Sequence, residues 1–320
     1  MTKNTYVVCD NYSQSVLFFS RDGAPKSRFN RNGQGPQDYL EIGWILYDEE
    51  ADDLFLCNTF SEIDKRYIQV YSSTGEYKRK IAMPYNTELR SFFSFDNKSL
   101  FVYASYNPSV LGPGKDRETE IRYTTYYRIS KLNGEILDSL KLKSNDVSLV
   151  LRIGAVRSLS NYRRLVKGID GFFLCNPETD TVYYYSGDKS LTPVLHKIPL
   201  ARNQDPKAVI TNVADAGRYL FFSVETIASS TLTPFIYYFL DKETGEIFLQ
   251  NLTLPDYKGK KITISAYDAK DANYFIIGLD LYELKDAYKE DRLSGKLKEL
   301  VATLNEDKDN NVYVLINLEK

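Results

Sequence analysis

The sequence predicts an all-β chain, on three observations: a surplus of aromatic residues, a recurring strand-and-turn unit, and a scarcity of helical periodicity. The chain has 320 residues, with 26 tyrosines and 17 phenylalanines against two methionines. Aromatic side chains suit a pleated, half-buried surface. The recurring unit shows first around the cysteines, as "YVVCDN", "LFLCNT" and "FFLCNP". Each is followed by an aromatic strand, "VLFFSRDG", "YIQVYSSTG" or "VYYYSGD", then by a short turn and another strand. "LFVYAS" with "YTTYYRISKLNGEILDSLKL" and "YLFFSV" with "FIYYFLDKETGEIFLQNLTL" repeat the unit without cysteine. The turns Asp22-Gly23, Thr74-Gly75, Asn133-Gly134, Gly187-Asp188 and Thr244-Gly245 fit hairpins, because Gly accepts positive φ at little cost.

A further strand precedes most units, as in "GWILYDEE", "RSFFSFDN", "AVITNVAD" and "ITISAYDA". The result is a four-stranded meander of roughly 45 to 55 residues, a period that signals propeller blades. About six such units fit the chain. The expected architecture is a single six-bladed β-propeller over residues 1–320, with blades at 5–29, 41–84, 90–142, 163–200, 207–254 and 261–320. The first blade begins at its second strand. The closing strand "NNVYVLINL" (Asn310 to Leu318) is expected to pair beside "ANYFIIGL". Helical spacing of Leu293, Leu297, Leu300, Val301 and Leu304 predicts a helical insertion over Leu281 to Asp307.

Composition excludes several functions. A net charge of -2 gives no electrostatic reason for nucleic acid or an anionic membrane as partner. No apolar run approaches the roughly 20 residues that span a bilayer. A single histidine, His196, rules out a histidine-built metal centre, and it reads as half-buried packing on an outer strand. Cys9, Cys57 and Cys175 occupy equivalent strand ends and read as free thiols. The acidic run Asp48 to Asp53 lacks the Gly and terminal Glu of a calcium loop and reads as turn chemistry. No metal, cofactor or catalytic residue is expected, and the chain is expected to be a monomer.

The segment "SQSVLFFSRDGAPKSRFNRNGQGPQDYLEIG" resembles the first blade of the six-bladed β-propeller family abundant in Bacteroidetes, relatives of NHL-repeat propellers. Gly33, Gly35, Pro36, Asp38 and Tyr39 match that family's crossing loop, while Gln37 and Asp38 stand where Gly and Glu are common. "ETDTVYYYSGDKSLTPVLHKI" and "KLKELVATLNEDKDNNVYVLINLEK" extend the resemblance over nearly the whole chain. It implies an extracytoplasmic location, periplasmic or as a surface lipoprotein, with the leader and the first inner strand missing here. It implies no biochemical activity.

The glycines of "FNRNGQGPQDY" do not make a phosphate loop, because a strand-like "YLEIGWILYDEE" follows where a helix N-terminus would be needed. They read as a sharp crossing between blades, anchored by Asp38 and Tyr39.

In a propeller, second-to-third strand loops and blade crossings share one face. The opposite turns here are all short, as in "RDGAP", "STGE" and "KETGE". The first group holds the long segments, including "SYNPSVLGPGKDRETEIR", "KSNDVSLVLRIGAVRSLSNYRR" and "ETIASSTLTP". Long loops on a rigid scaffold commonly carry recognition. Candidate ligand-binding residues there are Arg31, Gln34, Arg90, Tyr106, Arg122, Arg152, Arg157, Arg163 and Arg202, since Arg offers planar multidentate bonding and aromatic faces stack. Taken singly, such arginines also serve to tie blades together, and Trp44 reads as packing between blades. The expected function is binding of a glycan, peptide or protein. The alternative is a calcium-dependent propeller hydrolase or lactonase, which would need carboxylate and Asn side chains converging from inner strands.

Overall fold

The computed structural model describes residues 4–58, 67–84, 92–104, 123–143, 150–153, 156–159, 163–176, 179–200, 203, 207–228, 231–232, 235–265, 269–271, 274–306, 309 and 311–317. The chain divides into two compact units, Met1–Val147 and Ser148–Lys320.

The first unit contains three antiparallel meanders. One has three strands, β1 (Thr5–Asp10), β2 (Ser15–Ser20) and β3 (Pro25–Phe29). The next has four, β4 (Ile42–Asp48), β5 (Asp53–Asn58), β6 (Tyr67–Tyr71) and β7 (Tyr77–Ala82). The last also has four, β8 (Phe92–Ser94), β9 (Ser99–Ala104), β10 (Tyr123–Ser130) and β11 (Ile136–Lys143). Strand β5, "DLFLCN", is buried along its whole length because both its faces are covered. Leu54 and Leu56 join Val16, Phe18 and Phe29 on one side, while Phe55 and Cys57 join Phe92, Leu100 and Val102 on the other. Burying each such side chain stabilises by about 1.5–3 kcal/mol. Trp44 on β4 packs against this second cluster, and its indole N–H donates to the Phe92 carbonyl at 3.0 Å. The outermost β7, "YKRKIA", alternates buried and exposed positions instead. Gly134 closes the β10–β11 turn at φ +80, where a Cβ would fall 2.1 Å from the Ala82 carbonyl oxygen.

The second unit begins with a hairpin of β12 (Val150–Ile153) and β13 (Val156–Leu159), inside a segment that the sequence suggests is a loop. A four-stranded meander follows: β14 (Leu165–Lys167), β15 (Gly171–Leu174), β16 (Thr181–Ser186) and β17 (Leu191–His196). Next comes a larger sheet with the order β18 (Lys207–Ala216), β19 (Tyr219–Ala228), β21 (Ile236–Asp241) and β22 (Ile247–Leu249), with β20 (Thr231–Leu232) on β19. Strands β23 (Leu252–Thr253) and β24 (Lys261–Ile262) form a pair. The last sheet is β25 (Ala269–Asp271), β26 (Tyr274–Leu279) and β27 (Val312–Asn317), where Tyr274 faces Asn317 and Leu279 faces Val312. The closing strand therefore pairs beside "YFIIGL", as its alternating pattern indicates.

The architecture is all-β, with few helices and several four-stranded antiparallel sheets. Three expectations need correction. The helical insertion is two helices, α1 (Leu281–Lys289) and α2 (Gly295–Thr303). Asp291 at φ 52 and Gly295 at φ 52 break the helical path, and the intervening residues bond to another segment, Ser294 N–H to the Asp256 carbonyl and Lys258 N–H to that of Arg292. Leu297 and Val301, one turn apart on α2, are buried, but Leu300 is exposed, because this short helix turns only a narrow face to the core. His196 is exposed, with Nδ1 2.7 Å from the Thr181 hydroxyl; an outer edge strand leaves it uncovered. In the Gly187-Asp188 turn the left-handed residue is Lys189, at φ 68, and not the glycine. The three cysteines are free thiols, on β1, on β5 and immediately after β15.

Candidate functional site

The crossing between β3 and β4 is held from within. Tyr39 is fully buried; its hydroxyl donates to the Gln14 carbonyl at 2.6 Å and accepts the Arg31 N–H at 3.1 Å. Asp38 accepts the Gly35 N–H at 3.0 Å and lies 3.7 Å from Arg31 Nε. A Cβ on either Gly33 or Gly35 would sit 2.6 Å from the same Asp38 oxygen, so only glycine leaves the carboxylate its place. Outside the loop, Gln69 donates to the Asp38 carbonyl at 2.8 Å and Tyr71 to that of Gln37 at 2.8 Å. Pro36 is exposed within this segment. The acidic run is likewise engaged: Asp48 pairs with Lys131 at 2.7 Å, Asp53 with Lys78 and Arg79, and Asp52 accepts from Tyr47 at 2.9 Å.

The candidate ligand residues do not form one described group. Arg31 spends its guanidinium on Asp38 and on the Gly75 carbonyl, and Gln34 is exposed in the same loop. Arg152 and Arg157 stand opposite one another in the β12–β13 register. Arg163 is half-buried just before β14. Arg90, Tyr106, Arg122 and Arg202 lie outside the described residues.

A different cluster emerges on β18 and β19. Between Thr211 and Ala214 the register shifts, and Asn212 adopts φ 52 in the bulge. Bulges of this kind re-aim a side chain. Thr211 faces Ser223 across the ladder with hydroxyls 2.8 Å apart, and the Asn212 amide donates to the Ser223 hydroxyl at 2.9 Å. Two residues further along the same face of β19 is Glu225, 2% exposed. Neither Glu225 Oε2 nor Asn212 Oδ1 has a hydrogen-bond partner, although both atoms are buried. Burial raises the Glu225 carboxyl above its ordinary value.

The cluster has a particular place along its sheet. Strand β19 starts at the short turn after Ala216 and ends at the longer connection toward β21, so Glu225 lies in its long-loop half, while Ser223 and the Asn212 bulge sit at mid-strand. At the short-turn end the buried carboxylates are paired. Asp215 accepts from Lys242 at 2.8 Å and from the Ile169 N–H at 3.2 Å, and Asp241 takes Arg218 in a fork at 3.0 and 3.1 Å from Nε.

A family model described as a domain of unknown function, DUF4934, matches residues 1–317. The chain belongs to that family. It is similar to the crystal structure of a candidate exported protein from Bacteroides fragilis, at 15% identity and TM-score 0.63, covering 100% of this chain and 89% of the other. That likeness shows a shared fold. Weaker likenesses are to a DUF4221-family member from Bacteroides vulgatus, at 12% identity, TM-score 0.40 and coverage of 80% and 83%, and to TolB from Acinetobacter baumannii, at 13% identity, TM-score 0.36 and coverage of 86% and 57%. No curated protein matches the chain.

In this DUF4934 chain the buried cluster offers acceptors without donors. Among the described residues no three or more His, Cys, Asp or Glu side chains gather to hold a metal ion. The sequence signal for the cluster was present in "YLFFSVETI", where Leu220, Phe222 and Val224 alternate with Phe221, Ser223 and Glu225. A polar face in such a strand ordinarily reads as solvent-facing, and only the structure shows it buried.

Proposed function

We propose that this DUF4934 chain is a non-catalytic binding protein that engages a glycan, peptide or protein at the long-loop ends of its sheets. The observation that carries the reading is the unsatisfied Glu225 Oε2, buried in the long-loop half of the β18–β22 sheet, with Asn212 Oδ1 likewise unsatisfied at mid-strand. Unsatisfied buried polar groups cost stability, so a fold retains them where they serve a purpose. The successive meanders support reading the chain as one six-bladed β-propeller domain over residues 1–320 of the NHL-like type. The exported description of the Bacteroides fragilis protein supports an extracytoplasmic location. No helix among the described residues is long and apolar enough to cross a membrane.

The test uses the full chain on glycan and peptide arrays, followed by mass analysis of the bound ligand. Reversible binding to one class is expected, weakened at least tenfold by Phe235→Glu at the long-loop end and untouched by Glu243→Lys at the short-turn end. Phe235 and Glu243 are both exposed, so neither substitution disturbs the core. Turnover of the ligand, or sensitivity only at the short-turn end, would refute the reading. The second reading, a calcium-dependent hydrolase, draws on the same two oxygens, which supply two of the six to eight that calcium takes.

A further inference from the structure

We infer that the Thr211–Asn212–Ser223–Glu225 cluster is a binding site for a small cation. The inference rests on the reading that this end of the sheet receives a ligand, and it names the chemistry of one subsite.

The argument is a balance of donors and acceptors. The Ser223 hydroxyl is already engaged by Thr211 Oγ1 at 2.8 Å and by the Asn212 amide at 2.9 Å, so the hydroxyl pair is satisfied internally. What remains is Asn212 Oδ1 and Glu225 Oε2, both acceptors, and neither has anything to accept. A ligand presenting acceptors would meet repulsion there. A neutral donor, such as a sugar hydroxyl or a water molecule, would bond to the oxygens but leave the carboxylate charge uncompensated at 2% exposure. A cation supplies the charge that the buried carboxylate lacks, and an amide oxygen on the neighbouring strand is the kind of neutral donor atom such an ion takes.

Two geometric features fit that role. The bulge at Asn212 turns a side chain out of the normal alternation toward Ser223, and the left-handed φ of 52 is one that Asn tolerates better than most residues. The neighbouring oxygens are amide, carboxylate and hydroxyl, a set suited to hard ions and to ammonium groups, with no sulfur or imidazole to favour a softer metal. One carboxylate supplies a single negative charge, which matches a monovalent cation or a loosely held divalent one. The burial that raises the Glu225 carboxyl is the same penalty a bound cation would remove.

The experiment follows thermal melting of the chelator-treated full chain by intrinsic fluorescence. The probes are potassium chloride, calcium chloride and ethylammonium chloride, with tetramethylammonium chloride at equal ionic strength as a bulky control lacking N–H donors. At least one probe should raise the melting temperature saturably above the control, and Glu225→Gln should abolish that rise. Asn212→Asp, which adds a second carboxylate in the same backbone conformation, should lower the half-saturating calcium concentration by about tenfold. A response to potassium or calcium identifies a metal site, and a response to ethylammonium alone identifies an amine subsite. Equal behaviour of all probes and the control means water alone occupies the cluster and overturns the inference, as does an undiminished response in Glu225→Gln. Should Glu225→Gln fail to fold, an Asn212→Asp protein with unchanged calcium dependence overturns it independently. No glycan or peptide is present in this assay, so its failure leaves the array result of the proposed function standing on its own.

Discussion

The two ends of the β18–β22 sheet are built from similar residues and treat them in opposite ways. At the short-turn end Asp215 and Asp241 are each matched by a cation, Lys242 at 2.8 Å and Arg218 in a two-pronged arrangement. At the long-loop end Glu225 is as buried as Asp215, at 2% against 3% exposure, and has no cation. The short-turn end closes the fold and carries its charges in pairs. The long-loop end leaves acceptors open, which is the arrangement expected where a ligand completes the bonding. The difference teaches that burial alone does not distinguish a structural carboxylate from a functional one. The partner does.

The largest way to break the comparison is Asp215→Ala. It removes the acceptor for Lys242 and for the Ile169 N–H together. Truncating one partner of a buried pair is expected to cost about 2–4 kcal/mol, moderated here because Lys242 is partly exposed. Urea denaturation measures it. A loss below about 0.5 kcal/mol would mean the paired end contributes no more than an ordinary surface.

Glu225→Gln should act in the other direction. Replacing a buried, unpaired carboxylate by a neutral amide of the same shape is expected to stabilise by about 1 kcal/mol at pH 8, since an uncompensated charge is costly inside a protein. Destabilisation in the same urea assay would show that Glu225 is held by attraction, which would erase the contrast between the two ends.

How much of this was legible beforehand differs between scaffold and site. The meanders were readable because alternation, aromatic strands and glycine turns act locally; Gly23, Gly75, Gly134 and Gly245 all take positive φ, at 85, 84, 80 and 76. The closing strand was readable because Val312, Val314 and Ile316 alternate with Tyr313, Leu315 and Asn317. The break between α1 and α2 was hidden because it depends on Asp256 and Lys258 reaching the connecting residues. The Glu225 cluster was hidden for a different reason. Local pattern marks Ser223 and Glu225 as polar, but only tertiary packing, which buries both, makes that polarity costly. The charge of the long-loop arginines is visible in sequence, whereas the cost of the Glu225 and Asn212 oxygens comes from burial, which is not.

The pH dependence sharpens the comparison with opposite slopes. Burial raises the Glu225 carboxyl, so the folded chain keeps a proton in a range where the unfolded chain has lost it. That contribution is fully present below the ordinary glutamate value and is lost as pH rises through the raised value. Asp241 is lowered, first by its hydrogen bond from Arg218, so its contribution is present above the ordinary aspartate value and is lost as pH falls. As pH rises from the ordinary glutamate value through the raised one, the wild-type chain should lose stability relative to Glu225→Gln. Parallel melting curves for the two across that range would remove the buried carboxylate from the account.

The smallest expected effect concerns Asn212, and it tests the bulge that shapes the open end. At φ 52 the backbone is left-handed, a region where a Cβ crowds the following carbonyl and costs about 1–2 kcal/mol for most residues. Asn tolerates it and Gly does so freely. Both Asn212→Gly and Asn212→Ala forfeit the amide bond to Ser223, worth about 1 kcal/mol, and both remove the buried oxygen that lacks a partner. Those two changes oppose each other, so the glycine variant should lie within about 1 kcal/mol of wild type. The alanine variant keeps the Cβ and loses the side chain that made the conformation tolerable, so it should be about 1 kcal/mol less stable than the glycine variant. Equal stability of the two variants would mean that residue 212 relaxes out of the left-handed region at no cost. The bulge would then be incidental, and the aim of Asn212 toward Ser223 would not be built into the strand. A clear gap between them would show that the chain maintains a strained turn beside acceptors that stay open.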